Sequence, residues 1–302
     1  MSLKLAGSNI FKFSKDNPPA LKVPSGAIID IETMDCFANQ LQSEQDTLET
    51  LDWERVNPAT GPVFVEGAAP GDVLKVSIEK ISFGSQGVMA TGKDLGALGD
   101  MLEGLVSRII PITDGKAVFD SKLSIPLNPM IGVIGVAPES GELNCGTPGP
   151  HGGNMDNRMI TEGASLYLPV FVEGALLALG DLHAAMGDGE IGVTGVEIAG
   201  SVRVRLEVIK GLRLANPVLE NKEYFTTIAS ASDLESAVKL AVLDMAGILE
   251  KRLPLNMAEI SMLMSAAGHT QICQVVDPLR TARFAMPVWV LEKYGFSLWK
   301  QI

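Results

Sequence analysis

A mainly β fold of the α+β class, with an antiparallel β-sandwich or barrel-like core and a few packed helices near the C-terminus, is predicted by three features of the 302-residue sequence. Apolar and polar residues alternate along several stretches of the first two thirds. Gly and Pro punctuate the chain roughly every ten residues. Helical periodicity is confined to the last third.

In DVLKVSIEKI, Leu74, Val76 and Ile78 alternate with Lys75, Ser77 and Glu79, and in SVRVRLEVI the alternation is strict from Ser201 to Val208. Each reads as a strand with one buried face. The punctuation is too tight for repeated βαβ units and favours antiparallel pairing. Ser232 followed by Glu235 opens SDLESAVKLAVLDMAGILEKRL as a capping-box helix with an apolar stripe of Leu234, Val238, Ala241, Met245, Ile248 and Leu249. Asn256 followed by Glu259 opens a second helix, NMAEISMLMSAAG, with Gly268 placed to cap its end and a Met-rich face that reads as core. The heptapeptide PVFVEGA occurs at Pro62–Ala68 and again at Pro169–Ala175, followed by the pairs Gly71-Asp72 and Gly180-Asp181. This repeat predicts one domain over 1–302 built of two related β-rich halves, about 1–130 and 131–302, in which a strand-entry turn of the second half has become a chemical site.

A net charge of −12 with no local run of Lys or Arg repels phosphate backbones and anionic lipids, so neither nucleic acid nor a membrane is an expected partner. The longest apolar segment, LYLPVFVEGALLALG, is broken by Pro169 and Glu173, and no basic-then-apolar leader opens the sequence. A soluble cytoplasmic protein is expected. Cys36, Cys145 and Cys273 are odd in number and far apart, which suits reduced thiols better than a disulfide framework or a zinc knuckle. A mean hydropathy of +0.23 predicts a homo-oligomer.

The chemistry concentrates in two small-residue segments. GDLHAAMGDGE holds Asp181, His183, Asp188 and Glu190, and GPHGGNMDNR holds His151, Asn154 and Asp156; together they carry two of the three histidines. Residues two apart on a strand share a face, so Asp181 pairs with His183 and Asp188 with Glu190. DGE or MDNR alone would read as a solvated turn. So many carboxylates in small-residue loops repel one another unless a cation or a shared proton relieves them. Histidine with several carboxylates is the ligand set of hydrolytic zinc, manganese or iron sites, in which the metal activates water and a neighbouring carboxylate moves the proton. Zinc is the first expectation, and a second, structural ion such as calcium is compatible with the acids. His269 reads as structural, after a helix C-terminus. Cys36, beside Asp35, reads as a poor nucleophile.

These residues resemble the acetamidase/formamidase family, through NPATGPVFVEGAAPGD, GPHGGNMDNR, LYLPVFVEGALLALGDLHAAMGDGE and QICQVVDPLR. The resemblance implies hydrolysis of short linear amides to carboxylate and ammonia, a mostly β fold with a pseudo-repeat, and a divalent metal near the histidine and acid motifs. Carried over by position, His183, Asp181, His151, Asp156 and Asp35 are expected as metal ligands and Glu190 and Asp188 as catalytic acids, with Glu190 the base that activates water and protonates the departing ammonia. Asn154 and Met186 are expected at the substrate. Met186 stands where many members would carry glutamine, an apolar change that favours a longer acyl chain or a cyclic amide over formamide. Two other readings stand beside this one: a metal-free amidase with Cys145 as nucleophile, and a non-catalytic β-rich protein binding Ca²⁺ through Asp181, Asp188 and Glu190.

Overall fold

Residues 3–43 and 45–297 are described by a computed structural model in which antiparallel sheets dominate. The larger sheet has nine strands, in the spatial order Leu3–Leu5, Ile28–Thr33, Gly200–Ile209, Val73–Phe83, Ser165–Pro169, Val218–Glu220, Tyr224–Ala231, Arg280–Pro287 and His269–Gln274. The two alternating segments singled out by their sequence lie side by side in it, with Val202 opposite Ile81 and Leu206 opposite Val76. Their apolar faces are buried, as period-two alternation requires.

A second sheet carries the chemistry. It runs through Gly152–Asn154, Met130–Gly135, Leu177–His183, Ala59–Glu66 and Asn9–Ile10, with Leu21–Pro24 joined in parallel to Ala59–Glu66. One continuous core joins the two sheets, containing Ile29, Val76 and Val202 from the first and Val63, Ile134 and Leu179 from the second. A four-stranded sheet that includes Gln86–Gly92 and Leu105–Thr113 flanks the site.

Helices α1 (Leu234–Arg252) and α2 (Met257–Ala267) pack on the Tyr224–Ala231 and Arg280–Pro287 strands around Met245, Leu249, Ile260, Phe284 and Met286. The capping box at Asn256 and Glu259 is formed in both directions. The first helix starts one residue later than its sequence suggested. Asp233, not Ser232, accepts the Ser236 N–H, and the buried line is Ala237, Ala241, Met245 and Leu249, spaced by four. Gly268 ends α2 at φ −85°, so it is not a left-handed cap. A Cβ there would run into the Phe284 ring, and close approach explains the glycine.

The two PVFVEGA copies adopt different local conformations. The first lies mostly within the Ala59–Glu66 strand, whereas the second leaves the end of Ser165–Pro169 and turns. They touch each other, with the Val65 N–H donating to the Gly174 carbonyl and the Gly174 N–H to that of Ala68. Asp72 lies just before the Val73–Phe83 strand, while Gly180 and Asp181 fall inside Leu177–His183, so the reactive segment is a strand and not a strand-entry turn. No described helix is long and apolar enough to cross a membrane.

Candidate active site

The strand Leu177–His183 is buried along its whole length between Met130–Gly135 and Ala59–Glu66. Its ladder with Met130–Gly135 keeps one register but skips a pair where it matters. Ile131 faces Leu182 and Val133 faces Gly180, while Asp181 adopts φ +56°. Gly132 makes the space for this: a Cβ there would collide with Asp181 Oδ2 and stand 2.5 Å from Asp156 Oδ1. Two further acids, Asp156 at φ +43° and Glu190 at φ +46°, also occupy the left-handed region that non-glycine residues rarely adopt.

His183 is the hub of the site. Its Nε2 lies 3.1 Å from Glu197 Oε2, 3.5 Å from Asp181 Oδ1, 3.8 Å from Asp156 Oδ1 and 3.9 Å from Glu190 Oε1. All five side chains are buried. Glu197 is bridged to His183 through the backbone and steadied by the Gly195 N–H, which donates to Oε1 at 2.8 Å. Both Asp156 oxygens, Asp181 Oδ1 and Glu197 Oε2 lack a hydrogen-bond donor in spite of their burial. Asp277 closes the far side, accepting from Asn154 Nδ2 at 3.0 Å.

Such crowding distorts the acidities. Burial, reinforced by Asp181, holds the Asp156 carboxyl at about 6, and burial holds Glu197 at about 8. Glu190 is pushed well above the carboxylate range by burial and by Asp156, and Asp277 likewise. At His183 burial opposes the imidazolium, but Glu197 and Asp181 outweigh it and raise its pKa well above the usual value. Without a cation the cluster therefore retains protons.

The hollow above these groups measures about 150 Å³ and is lined by Asp181, Glu190, Glu197, Asn154 and Asp277 on its polar side, with Phe37, Leu48, Val56, Ala90 and Leu95 among its apolar walls. Cys36 is there too. Its thiol is pushed far up by burial and by Glu197, which makes it a poor nucleophile, and with Asp181 and Glu197 it forms a second donor triad beside Asp156, His183 and Glu190.

Asp156, Asp181, His183 and Glu190 thus converge as their sequence positions suggested, and Asn154 lines the same pocket. Asp188 does not join them. Gly189 at φ +102° and Glu190 at φ +46° break the strand geometry that would have put Asp188 and Glu190 on one face, and Asp188 instead accepts from Arg283 Nη2 at 2.6 Å. His151 is also apart. Gly152 and Gly153, both at positive φ, turn the chain after it, and its ring packs edge-on to Phe13 with neither nitrogen bonded. Burial lowers its pKa to about 4, and no acid contributes to that shift. Asp35 is buried and feels the Asp181 charge, but its Oδ1 is occupied by the N–H groups of Phe37 and Asn39. Met186 lines a neighbouring cavity, which shares Glu190 and Thr194 with the hollow. Cys145 is fully buried, donates to the Ile10 carbonyl and is raised to about 12, so it is an inert core thiol.

Glu197 and Asp277 were not singled out by the sequence reading. Each had a signal: Glu197 is a lone acid between buried Val196 and Ile198, and Asp277 is the one acid of QICQVVDPLR.

The Acetamidase/Formamidase family model matches residues 6–146 and 145–292. The fold superposes with a TM-score of 0.96 on a predicted acetamidase/formamidase from Thermoanaerobacter tengcongensis, 59% identical over 98% of this chain and 99% of that one. It superposes with a TM-score of 0.95 on an acetamidase from Bacillus halodurans, 47% identical over 97% of this chain and 100% of that one. The acetamidase of Mycolicibacterium smegmatis is 28% identical over 267 residues, 66% of either chain. The chain spans 63% to 67% of the length of the curated relatives it matches.

Proposed function

The chain belongs to the Acetamidase/Formamidase family, and from that membership and the pocket around His183 we propose that it cleaves the carbon–nitrogen bond of small linear amides, giving carboxylate and ammonia. The observation that carries this reading is the convergence of four buried carboxylates within 3.9 Å of one imidazole nitrogen. A hollow of about 150 Å³ with apolar walls suits a short acyl group.

The donor set fits a divalent cation. Two ligands on one zinc ion, each bonded at about 2.0–2.2 Å, stand roughly 3–3.5 Å apart, close to the spacings around His183 Nε2. Carboxylate oxygens buried without a donor are the atoms a cation would satisfy. His183, Asp156 and Asp181 would hold it, with Glu197 adjoining and Glu190 left to move protons, and zinc is the metal proposed for this mix of nitrogen and oxygen donors. When bound, the cation supplies a Lewis acid for the amide carbonyl and makes water more acidic.

The chain's own groups account for the rest. The Asn154 amide is fixed by Asp277, which leaves Oδ1 free of donors at the pocket wall, placed to accept an N–H of the substrate amide. Glu190 takes the proton from the attacking water as the new carbon–oxygen bond forms. It returns that proton to the nitrogen as the carbon–nitrogen bond breaks; the upward push from burial and Asp156 favours this donation, while a bound cation would favour the carboxylate that has to accept first. Water is kept scarce by Phe37, Leu48 and Val56. We further propose a cytoplasmic location, in keeping with three buried unpaired cysteines, and a homo-oligomer, in keeping with exposed Leu243, Met262 and Trp289. Metal analysis of the purified protein, paired with ammonia release from formamide, acetamide, propionamide and a lactam, tests the reading. A metal-bearing protein that releases ammonia from the linear amides supports it, and one that releases none refutes it.

A further inference from the structure

Two of the three strained acids of the site share an unexpected anchor. Asp156 and Glu190 come from different segments, and each is held at a strained φ that persists only where its surroundings impose it. Asp181 is imposed by the strands on either side of it. Asp156 and Glu190 sit in loops, where no ladder does this. The residue after Asp156 is Asn157, and the residue two before Glu190 is Asp188. Both are bound by one buried guanidinium.

That guanidinium is Arg283, only 2% exposed, on the Arg280–Pro287 strand of the larger sheet. Its Nη1 donates to Asn157 Oδ1 at 2.9 Å, its Nη2 to Asp188 Oδ2 at 2.6 Å and its Nε to Gln271 Oε1 at 2.7 Å on the neighbouring strand. The bonds leave in different directions from a rigid plane, which a lysine could not reproduce. The loop is held from its other side by the same strand pair, since the Gly189 N–H donates to the Cys273 carbonyl and the Val275 N–H to that of Gly189. Asn157 Oδ1 also accepts from the Met159 N–H, which fixes the turn that leaves Asp156.

We propose that Arg283 is the positioning residue of this site: it ties the Gly187–Glu190 loop and the Asp156–Asn157 turn to the larger sheet and so aims both carboxylates at His183. This rests on the amidase reading for its kinetic consequence but not for its structural one. Arg283 touches neither the pocket nor the other acids of the cluster. It acts through Asp188 and Asn157, and this gives Asp188 a role different from the catalytic one expected of it. An oxygen displaced by about 1 Å loses on the order of a hundredfold in rate, and partners that orient a ligand are worth about 10–100-fold.

The test compares the parent chain with Asp188→Asn, Arg283→Met and the double variant, with Arg205→Gln, which breaks an exposed ion pair with Glu79, as the control. Hydrogen exchange of residues 187–191 is read together with kcat and KM for acetamide, well below each protein's melting temperature. Asp188→Asn keeps the size of the side chain at a position one third exposed, so it remains informative if Arg283→Met does not fold. The expected result is exchange of the loop faster by about tenfold or more and kcat lower by about 10–100-fold with KM changed by less than about threefold. The double variant should be little worse than either single one. A loop that exchanges as in the parent, or a kcat equal to that of Arg205→Gln, overturns the proposal. If the parent hydrolyses no amide, the amidase reading fails, and the exchange rates still decide whether Arg283 holds the loop.

Discussion

Replacing Gly132 by alanine adds one methyl group at the point where two carboxylates meet. The new Cβ would stand 2.5 Å from Asp156 Oδ1 and nearer still to Asp181 Oδ2. Comfortable contact between such atoms begins near about 3.5 Å, so Asp156 must retreat by about 1 Å. Neither acid can do so cheaply, since both are buried and both hold left-handed backbone conformations. A shift of about 1 Å at a reacting group costs on the order of a hundredfold, equivalent to about 2.7 kcal/mol of barrier. Overpacking also costs about 1–3 kcal/mol of stability, so the melting temperature must be followed to correct for unfolded protein. Gly84→Ala is the matched control, because a Cβ there meets nothing within 4 Å. The assay is ammonia release from acetamide per folded molecule, with bound metal measured in the same preparation. If Gly132→Ala turns over as fast as Gly84→Ala with its metal in place, Asp156 and Asp181 are not where the reaction happens.

Three other outcomes follow from the same geometry. Asp156 at about 6 and Glu197 at about 8 lie above the unfolded carboxylate range of roughly 4. The stability they contribute to the metal-free protein is therefore complete below about pH 4 and lost as pH rises through about 6 and then 8. A cation replaces those protons, so the rise in melting temperature on adding zinc should be larger near pH 8 than near pH 5, and an equal rise at both would contradict the ligand assignment. Cys145→Ala should keep turnover within about twofold while losing about 1–3 kcal/mol of stability from a tightly packed site, and loss of activity by the folded variant would restore the thiol mechanism. Sedimentation should give a species heavier than the 32.0 kDa chain, and a monomer at all concentrations would refute self-association.

Local rules carried the sequence reading as far as local geometry extends. Alternation identified Val73–Phe83 and Gly200–Ile209 because an extended chain has period two, and the capping box identified α2 because it is complete within four residues. The same rule failed for Asp188, since it presumes an extended backbone and Gly189 and Glu190 both have positive φ. His151, expected from the clustering of histidines and acids, lies apart because two left-handed glycines turn the chain after it. Density of acids in small-residue segments located Asp156, Asp181, His183 and Glu190, which lie within 35 positions of one another (190 − 156 = 34). Glu197, Asp277 and Arg283 reach the site through long-range strand pairing, and neither spacing nor composition encodes that pairing.

The central claim is that Glu190 carries the proton between water and the leaving nitrogen in a pocket organised around His183. Glu190→Gln keeps the shape of the side chain and removes that capacity. Measured side by side for ammonia release and bound metal, the variant should retain the metal content of the parent and lose about 10²–10⁴-fold in kcat, whereas His183→Ala should lose metal and activity together. A Glu190→Gln protein that hydrolyses acetamide at close to the parent rate would contradict the account.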